Sequence, residues 1–194
     1  TVDKKIQVEN TDIVVSSLPI VSLIRMLGHS TKLKYRGVMI FYLDCMKKRI
    51  LPKDAHWLYY DSKEVYFSRI TEPKQMKVNV PSSEKTLLTI EVPFTVGNEL
   101  DKKDIGEITK EIIEQVEKIG LITKSDVVDA TMVKEKFVYP LQYQGYSKEL
   151  ARVNSIIGDV KQLYSLGLGG EFNYSDTQII FEKAFDFAKS ITID

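Results

Sequence analysis

Hydrophobic and polar positions change rhythm several times along this chain, and each change marks an expected element. Residues 3–8 alternate polar and apolar, which predicts a short edge strand. A turn at Asn10-Thr11-Asp12 leads into the β-branched run Ile13-Val14-Val15, read as a buried strand that ends at Ser16-Ser17. Pro19 and Gly28 then bracket a brief helix over 20–27, with proline at the start and glycine past the end. From Tyr35 to Cys45 the run Gly37-Val-Met-Ile-Phe-Tyr-Leu is long, apolar and rich in strand formers, so it predicts a central strand. Pro52-Lys53-Asp54 breaks that strand. Residues 56–60 and 65–70 flank the turn residues 61–64 and predict a hairpin. A further strand, Thr86 to Phe94, follows a loop carrying Pro81-Ser82-Ser83. Residues 35–94 therefore read as mostly antiparallel sheet.

The period then shifts to three and four. Ile105, Ile108, Ile112, Val116 and Ile119 predict an amphipathic helix from Asp101 to Leu121, capped by Asp101 or Asp104 and ended at Gly120. Its Lys and Glu face is expected to be solvated. Residues 127–139 alternate again through Val128, Ala130, Met132 and Phe137, a strand running into Tyr139-Pro140. Ser147 is expected to cap a second helix, with Leu150, Val153, Ile156 and Ile157 on one side and Gly158 as its stop. The closing stretch reads as a short buried strand (162–166) and a glycine-rich turn at Gly167, Gly169 and Gly170. A helix follows that buries Ile179, Ile180, Ala184, Phe187 and Ala188. Strand, glycine turn and helix together can aim backbone N–H groups at a phosphate or a flavin edge. An ordinary tight turn accounts for the same glycines, and local physics leaves both readings open.

Composition narrows the function classes. The 194 residues carry 27 basic and 27 acidic side chains, and a near-zero net charge argues against a nucleic-acid binder. Lys32, Lys34 and Arg36, and the run Lys47-Lys48-Arg49, read as solvated strand ends. Cys45 is the single cysteine, so no internal disulfide is possible, and its apolar neighbours predict a small buried side chain. His29 and His56 are the only histidines, too few ligands for a zinc site. No apolar run approaches the roughly 18 residues of a membrane span, so we expect a soluble cytoplasmic protein without bound metal. No Ser/His/Asp or Cys/His arrangement suggests side-chain catalysis. The aromatics are more informative. Trp57, Tyr59, Tyr66 and Phe67 alternate across the hairpin, and Tyr139, Tyr143 and Tyr146 cluster around Pro140 and Gly145. With Arg69 interleaved, such rings can wall a planar or apolar ligand and hold an anionic group; a packed core with satisfied tyrosine hydroxyls is the plainer alternative.

Taken in order, these stretches resemble the C-terminal part of the FAD-dependent amine oxidase superfamily, in its protoporphyrinogen-oxidase-like and UDP-galactopyranose-mutase-like branches. Thr11-Asp-Ile-Val-Val-Ser-Ser-Leu-Pro19 is similar to the strand that closes the family's FAD domain. His56-Trp-Leu-Tyr59 with Val65-Tyr-Phe-Ser-Arg-Ile70 resembles its substrate-domain hairpin. Val138-Tyr-Pro-Leu141 with Gly145-Tyr146 resembles its Y-P…G-Y segment, and Gly167-Leu-Gly-Gly-Glu-Phe-Asn-Tyr174 its terminal flavin motif.

The resemblance implies an α+β chain: an antiparallel sheet flanked by helices as a substrate cap over 35–158, and a partial α/β FAD-domain edge formed by 1–28 and 160–194. It implies FAD as cofactor, with Gly167, Gly169, Gly170, Glu171, Phe172 and Tyr174 beside it. A small-molecule substrate would be lined by Trp57, Tyr59, Arg69, Tyr139 and Tyr143.

Two positions depart from the family pattern. Leu168 stands where the family has an arginine, which removes a charge-assisted contact to the cofactor. The family's acidic position falls near Gln178, with Asp176 as a substitute after a shift of register. No GxGxxG occurs in the sequence, so a missing N-terminal nucleotide-binding segment or a partner chain is expected to complete FAD binding, which this chain alone need not achieve. An apolar surface where those strands belong would favour a homodimer. The resulting expectation is a portion of an amine-oxidase-like oxidoreductase whose flavin takes a hydride from a small organic substrate. The alternatives are a mutase-like flavoenzyme and a non-catalytic cap that has lost FAD.

Overall fold

In the computed structural model, which describes residues 7–9, 12–78 and 83–191, the elements in chain order are β1 (Val14–Ser16), α1 (Ile20–Met26), β2 (Tyr35–Cys45), β3 (Trp57–Tyr59), β4 (Arg69–Thr71), β5 (Thr86–Thr95), α2 (Glu99–Lys102), α3 (Ile105–Lys118), β6 (Val127–Pro140), α4 (Tyr146–Gly158), β7 (Leu163–Ser165), α5 (Gly167–Gly170) and α6 (Thr177–Ser190). They form two compact units. One comprises the described residues up to Tyr35 together with those from Tyr139 onward; the other runs from Arg36 to Val138. The edge strand expected over 3–8 and the turn at Asn10-Thr11 fall largely outside the described residues, as do Pro81 and Ser82.

The central unit is built on a five-stranded sheet in the order β3-β4-β5-β2-β6. Its pairings β3–β4, β4–β5 and β2–β5 are antiparallel. Alternation in β2 and β5 decides which face is covered: Met39, Phe41, Leu43, Leu88, Ile90 and Val92 are buried and share one core with Ile108, Ile112 and Val116 of α3. Between these strands a chain crossing is very close. A Cβ built on Gly37 would lie 2.3 Å from the Phe94 ring and 2.7 Å from the Glu135 carbonyl oxygen. Glu72 is fully buried in the same unit. It is satisfied there by the N–H groups of Ile50 and Leu51 and by the Thr86 hydroxyl, 2.6 Å away. A buried carboxylate with donors on both oxygens ties its own segment and the one at Ile50-Leu51 to the start of β5 without an uncompensated polar atom.

Three expectations change here. The hairpin has strands of only three residues each, because Val65 and Phe67 turn into the core instead of extending the ladder. The long helix is broken at Lys103, whose backbone is extended. Asp104 then caps α3 by accepting from the N–H groups of Gly106 and Glu107, which leaves Ile105 on the solvent side. In β6, Val127 rather than Val128 packs on the core.

The terminal unit joins distant sequence. β1 and β7 pair in parallel, Val14 opposite Leu163 and Ser16 opposite Ser165. Its buried side chains include Ile20 and Ile24 of α1, Tyr35, Val153 and Ile157 of α4, and Phe172. Ser147 does not cap α4. The helix begins at Tyr146, two residues earlier than a Ser147 cap implies, behind Gly145, which sits at φ +89 with no side-chain cap. Glu149, one turn in, instead accepts from the Thr31 hydroxyl, the Lys32 N–H and Arg152. The run Ile13–Val15 forms its strand but is exposed rather than buried, and 163–165 is at most half-buried. No residue of α6 is buried, so the predicted burial of Ile179, Ile180, Ala184, Phe187 and Ala188 is overturned. The physical reason is shared: among the described residues only β1 and β7 make this parallel sheet, too narrow to cover a whole helix face. Among the described residues, no helix is long and apolar enough to cross a membrane.

Gly37→Ala should cost about 1–3 kcal/mol by overpacking. Gly158→Ala, at the end of α4 with open space around it, should be neutral or stabilise by up to about 1 kcal/mol. Urea midpoints separate the two. Glu149 is held at a pKa of about 2, first by Arg152 and then by the Lys32 N–H and Thr31. Its folded-state pKa is thus below its unfolded one, and the stability it contributes is full above the unfolded value of about 4.3 and lost as pH falls toward 2. The gap in stability between wild type and Glu149→Gln should therefore shrink across that window in acid titrations of the urea midpoint.

Candidate functional site

Parallel pairing puts the carboxyl ends of β1 and β7 at the same end of their ladder, and the chain leaves both strands there. In open α/β sheets, ligands bind outside the carboxyl ends of the strands. From β1 the segment Ser17-Leu18-Pro19 enters α1, and from β7 the chain enters the single turn α5 through Leu166, whose N–H donates to the Ser16 carbonyl at 2.9 Å. The three glycines of that turn serve different needs. Gly167 takes φ +82 with nothing within 4 Å of a built Cβ, so it supplies a left-handed bend. A Cβ on Gly169 would lie 3.3 Å from the Pro19 backbone, and one on Gly170 would lie 2.8 Å from Ser165 Oγ and 3.2 Å from the Ser16 carbonyl. Those two glycines let the turn press against the exit of β1.

The carbonyls of Gly169 and Gly170 are tied inward, to the Tyr35 hydroxyl at 2.7 Å and to Ser165 Oγ at 2.8 Å. The N–H groups at the head of such a turn have no intrahelical acceptor, and those of Gly167, Leu168 and Gly169 are the backbone donors that a ligand could use. Phe172 is fully buried at φ +52. A left-handed conformation for a bulky aromatic costs on the order of 1–3 kcal/mol and persists only when surroundings over-determine it. Here the Tyr35 ring meets it edge-on at 5.1 Å and Tyr146 lies at 6.1 Å.

The structure brings several of the sequence-predicted residues together in this unit. Tyr174 is exposed, its ring tilted against that of Tyr139 with centroids 5.4 Å apart. Tyr143 lies beside Tyr146, and its hydroxyl donates to the Lys32 carbonyl. Glu171 pairs with Lys183 of α6 at 2.9 Å. Asp176 stands at the head of α6 without capping it, within 3.4 Å of the exposed Gln178. A cavity of about 490 Å³ opens here, walled by Gln142, Tyr146, Asn154, Glu171, Phe172 and Lys183 among others. Sequence reasoning missed Tyr35, Gln142, Asn154 and Lys183; only the aromatic character of Tyr35 at a strand start was a usable signal, since the others are ordinary surface residue types.

Trp57, Tyr59 and Arg69 form their own group in the central unit, on the sheet face opposite α3. Trp57 and Arg69 line part of a cavity of about 250 Å³ completed by Thr71, Met76, Thr89 and Glu91. Arg69 sits across from Glu91 in the ladder and is ion-paired with it, with the Tyr59 ring 5.9 Å from the guanidinium. Glu91, and then Tyr59, raise the Arg69 pKa above its ordinary value. The cation is matched within the chain, so the anion-holding role expected of Arg69 meets a carboxylate already in place. Glu91 could be found only from strand register, which the sequence pattern did not supply.

The glycine assignments are directly testable. Gly170→Ala should lose about 1–3 kcal/mol through overpacking, whereas Gly167→Ala should lose about 1–2 kcal/mol through its backbone alone. Gly167→Asn, which tolerates positive φ, should recover much of the second loss in thermal melts and cannot be imitated at position 170.

No family model and no curated protein matches this chain by sequence. Solved structures do. A reduced UDP-galactopyranose mutase superposes with a TM-score of 0.70 at 20% identity, over 84% of this chain and 37% of that one. A protoporphyrinogen oxidase-like protein from Exiguobacterium sp. 255-15 superposes with a TM-score of 0.65 at 14% identity, over 90% of this chain and 41% of that one. These are the two branches that the sequence motifs resemble. The chain therefore shares its α+β fold, a five-stranded sheet with helices, with one part of each of these two solved proteins, and it spans about two fifths of the solved chains it matches.

Proposed function

We propose that this chain is the substrate-binding part and C-terminal return of an amine-oxidase-like FAD-dependent oxidoreductase, with the flavin accepting a hydride from a small organic substrate. The observation that carries the reading is the parallel pairing of β1 with β7, which sets both strand exits and the glycine turn at one end of a sheet. The residues fit one wall of a flavin site. Peptide N–H groups of 167–169 lack intrahelical acceptors, Gly167 leaves open space beside them, and Tyr174 offers an exposed ring. Leu168 supplies no charge there, so binding on this wall rests on backbone donors and ring contacts. FAD brings the redox chemistry. The chain's residues bind and orient: Phe172 and Tyr174 beside the cofactor, with Trp57, Tyr59, Arg69, Tyr139 and Tyr143 toward the substrate.

The nucleotide-gripping half comes, in this proposal, from a segment carrying GxGxxG, on the same polypeptide or a separate one. Exposed Val14, Val15 and Tyr164 on the two-stranded sheet, and exposed Ile179, Phe181 and Phe185 on α6, support it. Parallel strands are normally covered on both faces and flanked by further strands. Without that segment the same apolar surface would favour a homodimer. A second reading, a mutase-like flavoenzyme, is favoured by the better superposition of the solved mutase, 0.70 against 0.65.

Adding FAD, desalting and recording the visible spectrum tests the proposal, first on the 194-residue chain and then on a polypeptide that precedes it with a GxGxxG-bearing strand–helix segment. The expected result is a flavin band co-eluting with the longer protein. Absence of the band from both would overturn the reading.

A further inference from the structure

Cross-strand register in the central unit gathers polar groups that the chain leaves partly unused. Trp57, Thr71 and Thr89 are successive partners across β3, β4 and β5, and Tyr59, Arg69 and Glu91 form the next row. Alternate residues of a strand share a face, so both rows stand on the side opposite Ile70 and Ile90, which are buried in the core. Arg69 donates from Nε and Nη2 to a single oxygen of Glu91, Oε1. Among the described residues nothing donates to Glu91 Oε2, and the Thr71 and Thr89 hydroxyls and the Trp57 indole N–H have no partner. The Glu91 side chain is only 17% exposed, so its free oxygen is an acceptor largely withdrawn from bulk water. Trp57 is 45% exposed and walls the same cavity of about 250 Å³.

We propose that this cavity takes an uncharged ring bearing neighbouring hydroxyl groups, of the size of one pyranoside, and that Glu91 sets this preference by cancelling the charge of Arg69. Two adjacent hydroxyls can donate to Glu91 Oε2 and accept from an Arg69 N–H at the same time. The Thr71 and Thr89 hydroxyls supply further partners, and the exposed indole gives an apolar wall for the C–H face of the ring. An anion gains no net attraction from a neutral pair, yet it must surrender its own hydration to enter. The volume lies just under the range of about 300–1,000 Å³ typical of drug-sized ligands, which leaves room for one ring and little more.

The site is the substrate side of the proposed flavoenzyme, and calling its ligand a substrate rests on that reading; binding itself can be measured without flavin. Trp57 is the only tryptophan of the chain, so its fluorescence reports on this cavity alone. The methyl pyranosides of glucose, galactose and mannose, and glucuronate as their carboxylate counterpart, are titrated against the 194-residue chain. At least one neutral pyranoside should change the emission saturably, and glucuronate should bind at least about tenfold more weakly. No saturable response to any of the three, or equal binding of glucuronate, overturns the proposal.

Glu91→Gln leaves Arg69 without its carboxylate, and with 36% of that side chain exposed the fold should tolerate the change. This variant should prefer glucuronate over the neutral pyranosides; an unchanged preference in a folded variant refutes the role of Glu91. Thr89→Val keeps the charge pair and should weaken the neutral pyranoside severalfold while glucuronate stays excluded. Should Glu91→Gln fail to fold, this second variant decides, and unaltered pyranoside binding by it counts against the site. Pyranoside binding by a protein that takes up no flavin in any form ends the oxidoreductase reading and leaves this one standing. Flavin uptake without any pyranoside response does the reverse.

Discussion

Parallel pairing of β1 with β7 is the constraint on which the terminal unit depends. Parallel neighbours cannot be joined by a tight turn and need a crossover, and here the intervening chain holds a complete sheet with its own core. Closing so long a loop costs entropy that rises only with the logarithm of length, so the pairing can survive the insertion if its ends are otherwise held. They are held by direct bonds: Val14 N–H to the Gln162 carbonyl, Leu166 N–H to the Ser16 carbonyl, and the Tyr35 hydroxyl to the Gly169 carbonyl. Two strands of three residues would be marginal alone. The helices α1 and α4, with buried Ile20, Ile24, Val153 and Ile157, provide the apolar cover that the strands lack on one side.

The central unit is held differently: β3, β4 and β5 pair in sequence order, β2 pairs across a long separation with β5 and β6, and one core runs from β2 and β5 to α3. That difference bears on where chemistry can be placed. The sheet face opposite α3 carries paired polar side chains: Arg69 with Glu91 across the ladder, and Asp44 of β2 with Lys85, which directly precedes β5. A face that balances its own charges can stay half-exposed without a counter-ion, and it can meet a neutral or weakly polar ligand with little desolvation penalty.

What could be read from sequence followed the strength of the local pattern. β2, β5 and the Ile108-Ile112-Val116 stripe were legible because burial on one face imposes a strict period. Boundaries failed where a capping choice outweighed the stripe: Asp104 cut off Ile105, and Gly145 rather than Ser147 opened α4. α6 failed for a different reason. Its apolar positions follow a helical period, but period reports which face is meant to be covered and says nothing about whether the cover is present in this chain. Ile13-Val14-Val15 failed in the same way. The partnership of Arg69 with Glu91 lay beyond reach because cross-strand register is set by packing of the whole sheet.

The glycine motif shows why a resemblance has to be resolved residue by residue. Gly169 and Gly170 are required by the backbone of Ser16–Pro19 and by Ser165, so their presence is explained before any ligand is considered. Gly167 is required by its own φ. Had the three glycines been the only observation, a tight turn would suffice. What a tight turn does not explain is the cost stored at Phe172, a fully buried aromatic in a left-handed conformation that a glycine or asparagine would hold at less expense. A large ring is kept there at the price of strain, in contact with Tyr35 and Tyr146 and two residues beyond the glycine turn. The strain at Phe172 is therefore the one feature of the motif that the local backbone does not require, since packing by Tyr35 and Tyr146 holds a conformation that the chain alone would avoid.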